Sequence, residues 1–236
     1  MAGITNAEFL NKIIPFGFDA VTLGGYSLDK KTIDASQKII ERGRKEFHFG
    51  LDEIIPHIEN EVNLIKNVHP NVIVSANVRS TTPQPIIETS KINNLDIIEI
   101  NCHCRQEELI SIGCGQEMLK RPDLYNYISK IVDNSESEVS VKIRANVEGI
   151  DTLEIAKVIE DAGADYLHLD AMDPNVFDAD WKLLETVCNN TNIKVIGNNS
   201  IDSPLKVRKM YECGVYGFSI ARGVISGTLN FDIANF

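Results

Sequence analysis

Apolar residues fall along the chain in two alternating kinds of segment. Short β-rich runs, FDAVTL (18–23), VIVSAN (72–77), DIIEIN (96–101), EVSVKIR (138–144), DYLHL (165–169), IKVIG (193–197) and YGFSIA (216–221), are each followed by a stretch with helical spacing. VIVSA and IKVIG read as apolar on both faces, the pattern of parallel strands covered by helices on either side. DTLEIAKVIEDAGA (151–164) predicts a helix capped by Asp151 and stopped at Gly163, and RPDLYNYISKIVDN (121–134) and SPLKVRKMYECGV (203–215) predict two more, with Pro122 and Pro204 near their first turns. LDEIIPHIENEVNLIKNV adds a helical segment around Pro56.

Seven strands are counted this way, and only the very start of the chain remains to supply an eighth. The alternation therefore predicts an α/β fold, a TIM (β/α)₈ barrel with a shortened first strand, formed by residues 1–236 as a single domain. An open doubly wound sheet competes with it, but no G-x-G-x-x-G follows any strand, so the dinucleotide fingerprint is missing.

Composition narrows the function classes. The 236 residues are 43% hydrophobic and 24% charged, with no apolar run near the roughly 18 residues that span a bilayer and no signal-like start, which predicts a cytoplasmic protein. Five cysteines are an odd, sparse set that suits a reducing compartment better than a disulfide framework. A formal charge of −11 opposes long-range attraction to a polyanion, leaving local patches such as Arg42, Arg44 and Lys45 to offset it.

Barrel chemistry gathers at the C-terminal ends of strands, with phosphates held after the seventh and eighth. After IKVIG stands Asn198-Asn199-Ser200, and after YGFSIA stands Arg222-Gly223. Backbone amides and a forked guanidinium suit a phosphate, although two ordinary loops would look the same. Lys142 and Arg144 alternate with apolar residues at a strand end, so both point to one side, where burial would demand an anionic partner.

Three thiols, Cys102, Cys104 and Cys114, crowd into IEINCHCRQEELISIGCGQEML (98–119). A metal site is disfavoured because paired zinc knuckles usually show C-x₂₋₄-C spacing, and in an extended segment alternation sends His103 to the side opposite its two neighbouring cysteines. Cys102, Cys188 and Cys213 suit small core positions. Cys104 lies three residues beyond Asn101, in the loop at the strand's catalytic end, where a thiol with an ordinary pKa of about 8.5 is mostly protonated at neutral pH and can act as a general acid.

Asn101-Cys102-His103-Cys104, followed by Gly115, Met118-Leu119 and Pro122, resembles the N-x-G-C-P…G…L-L-x-x-P segment of tRNA-dihydrouridine synthases, and its shorter form occurs in dihydroorotate and dihydropyrimidine dehydrogenases. Met1-Ala2-Gly3-Ile4-Thr5-Asn6 resembles the family's P-M-A-G-V-T-D opening, VSVKIR its V-K-I-R strand, VIGNN its V-I-G-N-G-D and GFSIARG its G-V-M-I-G-R-G.

This resemblance implies an FMN-binding barrel that reduces a pyrimidine 5,6 double bond, with Cys104 as proton donor. It places Ala2, Gly3, Asn77, Lys142, Gly197, Asn198, Asn199, Ala221 and Arg222 at the flavin, and Asn101 at the pyrimidine. Arg144 joins it as a substrate contact. Implied partners are a pyrimidine, in tRNA or free as in dihydroorotate, and NAD(P)H or another electron donor, with an oligomer allowed and neither membrane nor metal. A non-catalytic barrel binding a phosphorylated ligand is the alternative from another class.

Several positions depart from the family pattern. Arg105 stands for the proline after the cysteine, His103 for the glycine before it, and Asn199-Ser200 for Gly-Asp. Asp170 stands where the family has histidine, with His168 two residues earlier. The resemblance implies that the chain opens at the end of the family's first strand, and residues up to Phe236 are expected to hold no counterpart of the synthases' helical tRNA-binding domain.

Overall fold

The computed structural model describes residues 2–233; Met1 and the final three residues, and with them both ends of the expected domain, lie outside the described residues. In chain order the elements are α1 (Ala7–Ile13), β1 (Ala20–Ser27), α2 (Lys30–Glu41), α3 (Leu51–Lys66), β2 (Ile73–Arg79), α4 (Gln84–Ser90), β3 (Ile97–Cys102), α5 (Glu107–Ile110), α6 (Leu124–Val132), β4 (Glu138–Arg144), α7 (Thr152–Asp161), β5 (Tyr166–Asp170), α8 (Trp181–Asn190), β6 (Lys194–Asn198), α9 (Pro204–Glu212) and β7 (Gly217–Ser219). The strands form one sheet in the order β1-β2-β3-β4-β5-β6-β7, every pair parallel. The result is a curled, TIM-barrel-like α/β fold.

The eighth strand is the point of difference. Among the described residues the start of the chain forms no strand. It turns at Gly3, meets the sheet through a single antiparallel bridge between Thr5 and Gly24, and enters α1, whose cap Asn6 accepts from the Phe9 N–H. Where a closed barrel would carry that strand, α1 contributes Phe9, Leu10 and Ile13 to the wall of the central cavity.

Local chemistry accounts for the helix ends. Asp151 accepts from the N–H groups of Leu153 and Glu154, and Gly163, at φ +84°, terminates α7 in the left-handed conformation that glycine tolerates best. Pro204 occupies the first turn of α9, as expected. Pro122 instead precedes α6, because a 3-10 turn over Gly115–Lys120 delivers the chain and delays the helix to Leu124.

The two faces of the sheet differ more than VIVSA and IKVIG imply. Val74, Ala76, Val78, Ile98, Ile100, Val141, Ile143, Leu167 and Leu169 pack in the main core. The alternate positions Ser75, Asn77, Arg79, Glu99, Asn101, Ser140, Lys142 and His168 line the barrel cavity. Period-two alternation therefore persists in a parallel sheet, with a polar interior where a packed barrel would have apolar layers.

Candidate active site

The cavity has a volume of about 700 Å³ and runs along the inner face of the strands to the ends of β3, β6 and β7. Its charged floor is a chain of hydrogen bonds. Asn77 Nδ2 donates to Glu99 Oε1 at 2.7 Å, and Asn101 Nδ2 donates to Asn77 Oδ1 at 2.8 Å. Glu99 Oε2 lies 2.6 Å from His168 Nδ1 and 3.3 Å from the Ser140 hydroxyl that donates to it. On the far side of the imidazole, His168 Nε2 lies 2.9 Å from Lys142 Nζ and 2.7 Å from Ser219 Oγ.

The charges are buried and mutually compensating, since Glu99 is only 3% exposed and His168 5%. Burial alone would raise the Glu99 pKa, but His168 and Lys142 outweigh it and hold the carboxyl well below the usual range. Burial lowers Lys142, against the pull of Glu99 and Asp170, and lowers His168, with Lys142 adding to the effect. With Glu99 ionised, the His168 Nδ1–H donates to it and Nε2 is left to accept from Lys142 or Ser219.

A second hub sits at the mouth. Asp170 Oδ2 is 2.5 Å from His103 Nε2 and 3.2 Å from Arg144 Nη2, while its Oδ1 accepts from Asn199 Nδ2 at 2.7 Å. One carboxylate thus ties the loop after β3 to β4 and to the loop after β6. The anionic partner that Lys142 and Arg144 require is supplied from within the chain, by Glu99 and Asp170.

The loop carrying Cys104 is held just as firmly. Asn101 Oδ1 accepts from the N–H groups of both His103 and Cys104, at 3.2 and 2.9 Å, and Gln116 N–H donates to Cys104 O at 2.9 Å. That last approach requires Gly115. Its φ is +62°, and a Cβ there would stand 2.1 Å from Cys104 O. Gly115→Ala should therefore lower stability by roughly 2–4 kcal/mol and displace the Cys104 loop, read by urea denaturation and by the alkylation rate of Cys104. An alanine variant that matches the parent in both would remove Gly115 from this role.

The thiols separate by position. Cys102 is buried in the main core, its Sγ 3.9 Å from Met118 Sδ, and Cys114 is buried in a small satellite cluster with Ala35, Ile39 and Leu109. Burial raises the pKa of both, that of Cys114 to about 12, which keeps them protonated. Cys104 is half-buried and lines the cavity. All five cysteines are free thiols.

The other expected site residues divide. Ala2, Asn77, Asn101, Lys142, Asn198 and Ala221 line the cavity with Cys104, and Gly3, Arg144, Gly197, Asn199 and Arg222 lie outside its lining. Gly3 serves packing, because a Cβ there would meet the backbone of Lys45 and Glu46 at 2.7 Å. Gly197 faces outward, where a Cβ would lie 2.7 Å from Met210 Sδ. Asn199 spends its amide on Asp170, and exposed Arg222 begins the 3-10 turn Arg222–Val224. The expected basic patch is partly neutralised, since Arg42 pairs with Glu108 at 3.0 Å.

Arg79 is an interior residue that local reading passes over. It is 2% exposed, lines the cavity, pairs with Glu46 at 2.6 Å and leaves its buried Nε unpartnered. The alternation S-A-N-V-R places it on the inner face with Asn77. Gly25 belongs to the same corner, because a Cβ there would lie 2.6 Å from Asn77 Oδ1.

A family profile described as dihydrouridine synthase (Dus) matches residues 55–228. The chain belongs to the Dus family. It is 36% identical to an uncharacterised protein of Methanocaldococcus jannaschii, over 98% of this chain and 89% of that one. Identity is 28% to the catalytic subunit of dihydroorotate dehydrogenase B (NAD(+)) of Streptococcus pneumoniae, covering 77% of this chain and 62% of that subunit. It is 29% to tRNA-dihydrouridine synthase B of Vibrio vulnificus, covering 59% of this chain and 46% of the synthase.

The Dus-family chain thus spans about half to two thirds of the named enzymes it matches. Phosphoribosyl anthranilate isomerase of Thermus thermophilus superposes with a TM-score of 0.56 at 15% identity, over 94% of this chain and 86% of that one. That likeness concerns the fold alone. Among the described residues no helix is long and apolar enough to cross a membrane.

Proposed function

We propose that this Dus-family chain is an FMN-dependent oxidoreductase that reduces a pyrimidine 5,6 double bond, with Cys104 as general acid. The observation that carries the reading is the convergence of Cys104, Asn101, Asn77 and Lys142 on one cavity at the C-terminal ends of the strands.

Two features of the chain fit the cofactor. A cavity of about 700 Å³ lies within the usual range for a bound cofactor. Asn199 at φ +110° and Ser200 at φ +54° adopt the left-handed backbone that glycine favours at the family's glycine position, which suits a close approach of 198–200 to a phosphate. The facing loop lies close by, since a Cβ on Gly223 would approach Ile201 O at 3.2 Å. When bound, the flavin supplies the hydride chemistry.

The chain's own residues do the rest. Backbone amides of 198–200 and the Arg222 guanidinium hold the phosphate, Lys142 and Asn77 meet the ring system, and Asn101 orients both the pyrimidine and the Cys104 loop. Cys104 holds a proton for the ring carbon next to the one that receives hydride. NADH or NADPH is the electron donor to try first.

Arg222→Ala should weaken FMN binding about ten-fold or more through loss of its charge-assisted contacts, measured by fluorescence titration of the apoprotein. A colourless protein that cannot be reconstituted with FMN would end the reading, whereas unchanged affinity in the variant would remove only Arg222. For substrate, a pyrimidine in tRNA follows the synthase relatives. A free pyrimidine such as dihydroorotate draws on the net charge of −11 and on the longer match to the dehydrogenase subunit. Reoxidation of the reduced protein by unmodified tRNA transcript or by orotate separates the two.

A further inference from the structure

Two departures from the family pattern, His103 before the cysteine and Asp170 at the end of β5, lie 67 residues apart in sequence and touch in space, with His103 Nε2 at 2.5 Å from Asp170 Oδ2. They therefore act as one unit, an imidazole–carboxylate pair whose ring lines the cavity beside Cys104.

We propose that His103, held by Asp170, relays the proton between Cys104 and solvent. The inference rests on Cys104 being the general acid.

The geometry assigns each ring atom a task. Asp170 also takes Arg144 and Asn199, so it is fixed from three sides and fixes the imidazole in turn. With Nε2–H donated to the carboxylate, Nδ1 carries the free lone pair of the neutral ring. Backbone bonds from His103 and Cys104 to the single acceptor Asn101 Oδ1 hold the two residues in register.

The charges around the ring set its proton affinity. Lys142 and Arg144 on β4 oppose protonation, and Asp170 favours it. Burial is the largest influence and, despite the carboxylate, pushes His103 down to about 4. The imidazole is then neutral at pH 7, the state of a carrier that passes a proton on.

The step balances without any further reactant. Once the Cys104 S–H bond breaks and its proton joins the ring carbon, the thiolate remains. A hydronium ion of the solvent gives its proton to His103 Nδ1 and leaves as water, and the imidazolium is stabilised by Asp170. Nδ1–H then breaks as S–H reforms. Run backwards, the same relay exports the proton taken up during oxidation of a dihydropyrimidine.

The test separates the first turnover from later ones. With FMN-loaded protein and whichever of orotate or unmodified tRNA transcript reoxidises it, His103→Gln should leave the single-turnover rate within about two-fold. Steady-state kcat should fall about 10- to 100-fold, with partial rescue of His103→Ala by added imidazole. Glutamine retains a donor to Asp170 but carries no proton, so a purely structural role would be preserved in it.

An unchanged kcat in His103→Gln would overturn the relay. A lost single-turnover rate in Cys104→Ala tests the general acid separately. If the variants fold poorly, or if neither probe reoxidises the flavin, histidine-labelled parent protein decides by NMR. Carboxamidomethylation of Cys104 should shift the His103 titration, and a titration indifferent to it would overturn the proposal.

Discussion

Replacing Cys104 with alanine should slow flavin reoxidation by pyrimidine about 10²- to 10⁴-fold, the usual contribution of a positioned general acid, while FMN stays bound. The structure motivates the asymmetry with the neighbouring thiols. Cys102 lies against Met118 in the core and Cys114 in a satellite cluster, and burial holds both protonated and away from the cavity. Cys102→Ala and Cys114→Ala should therefore cost stability, as core truncations do, with turnover per folded molecule nearly unchanged. Rapid mixing of reduced protein with orotate or unmodified tRNA transcript reads the first effect, and urea denaturation the second. An unaltered reoxidation rate in Cys104→Ala would show that the proton comes from elsewhere. Equal kinetic losses in all three, with release of zinc or iron, would restore the metal reading.

Part of that asymmetry was legible along the chain, because Cys102 suits a small core position while Cys104 lies three residues beyond Asn101, in the loop past the strand end. Period-two logic flagged Lys142 and Arg144. It was available, unused, for Asn77 with Arg79 and for Glu99, whose acidic side chain stands between Ile98 and Ile100 on the inner face. Reading VIVSA and IKVIG as apolar on both faces concealed it. Contacts that depend on closure of the sheet have no local signature. His103 with Asp170, Glu99 with His168 and Arg79 with Glu46 join positions 33 to 69 residues apart, and residue spacing says nothing about such pairs. Gly197 shows the converse, a motif glycine whose missing side chain makes room for α9 while its neighbour Asn198 faces the cavity.

The polar interior has a consequence for stability as large as any core substitution. Glu99→Ala removes the anion that faces His168 and, through it, Lys142, and it takes away the acceptor of Asn77 and Ser140. Lys142 then keeps its charge in a buried site without its first counterion, or gives up its proton. Breaking one partner of a buried ionic network costs roughly 3–5 kcal/mol, so the midpoint of urea denaturation should fall sharply. Glu99→Gln should cost less, since its amide still accepts from Asn77. The pH dependence distinguishes charge from shape. Glu99 has a depressed folded pKa, so the unfolded chain binds its proton first, and its stabilisation is complete above the unfolded value of about 4.3 and lost as pH falls below it. The gap between parent and Glu99→Gln should therefore be full at pH 7 and narrow as the pH is lowered through about 4. A gap that is small at pH 7, or that does not narrow in acid, would mean that the Glu99 carboxylate is not what holds His168 and Lys142 in place.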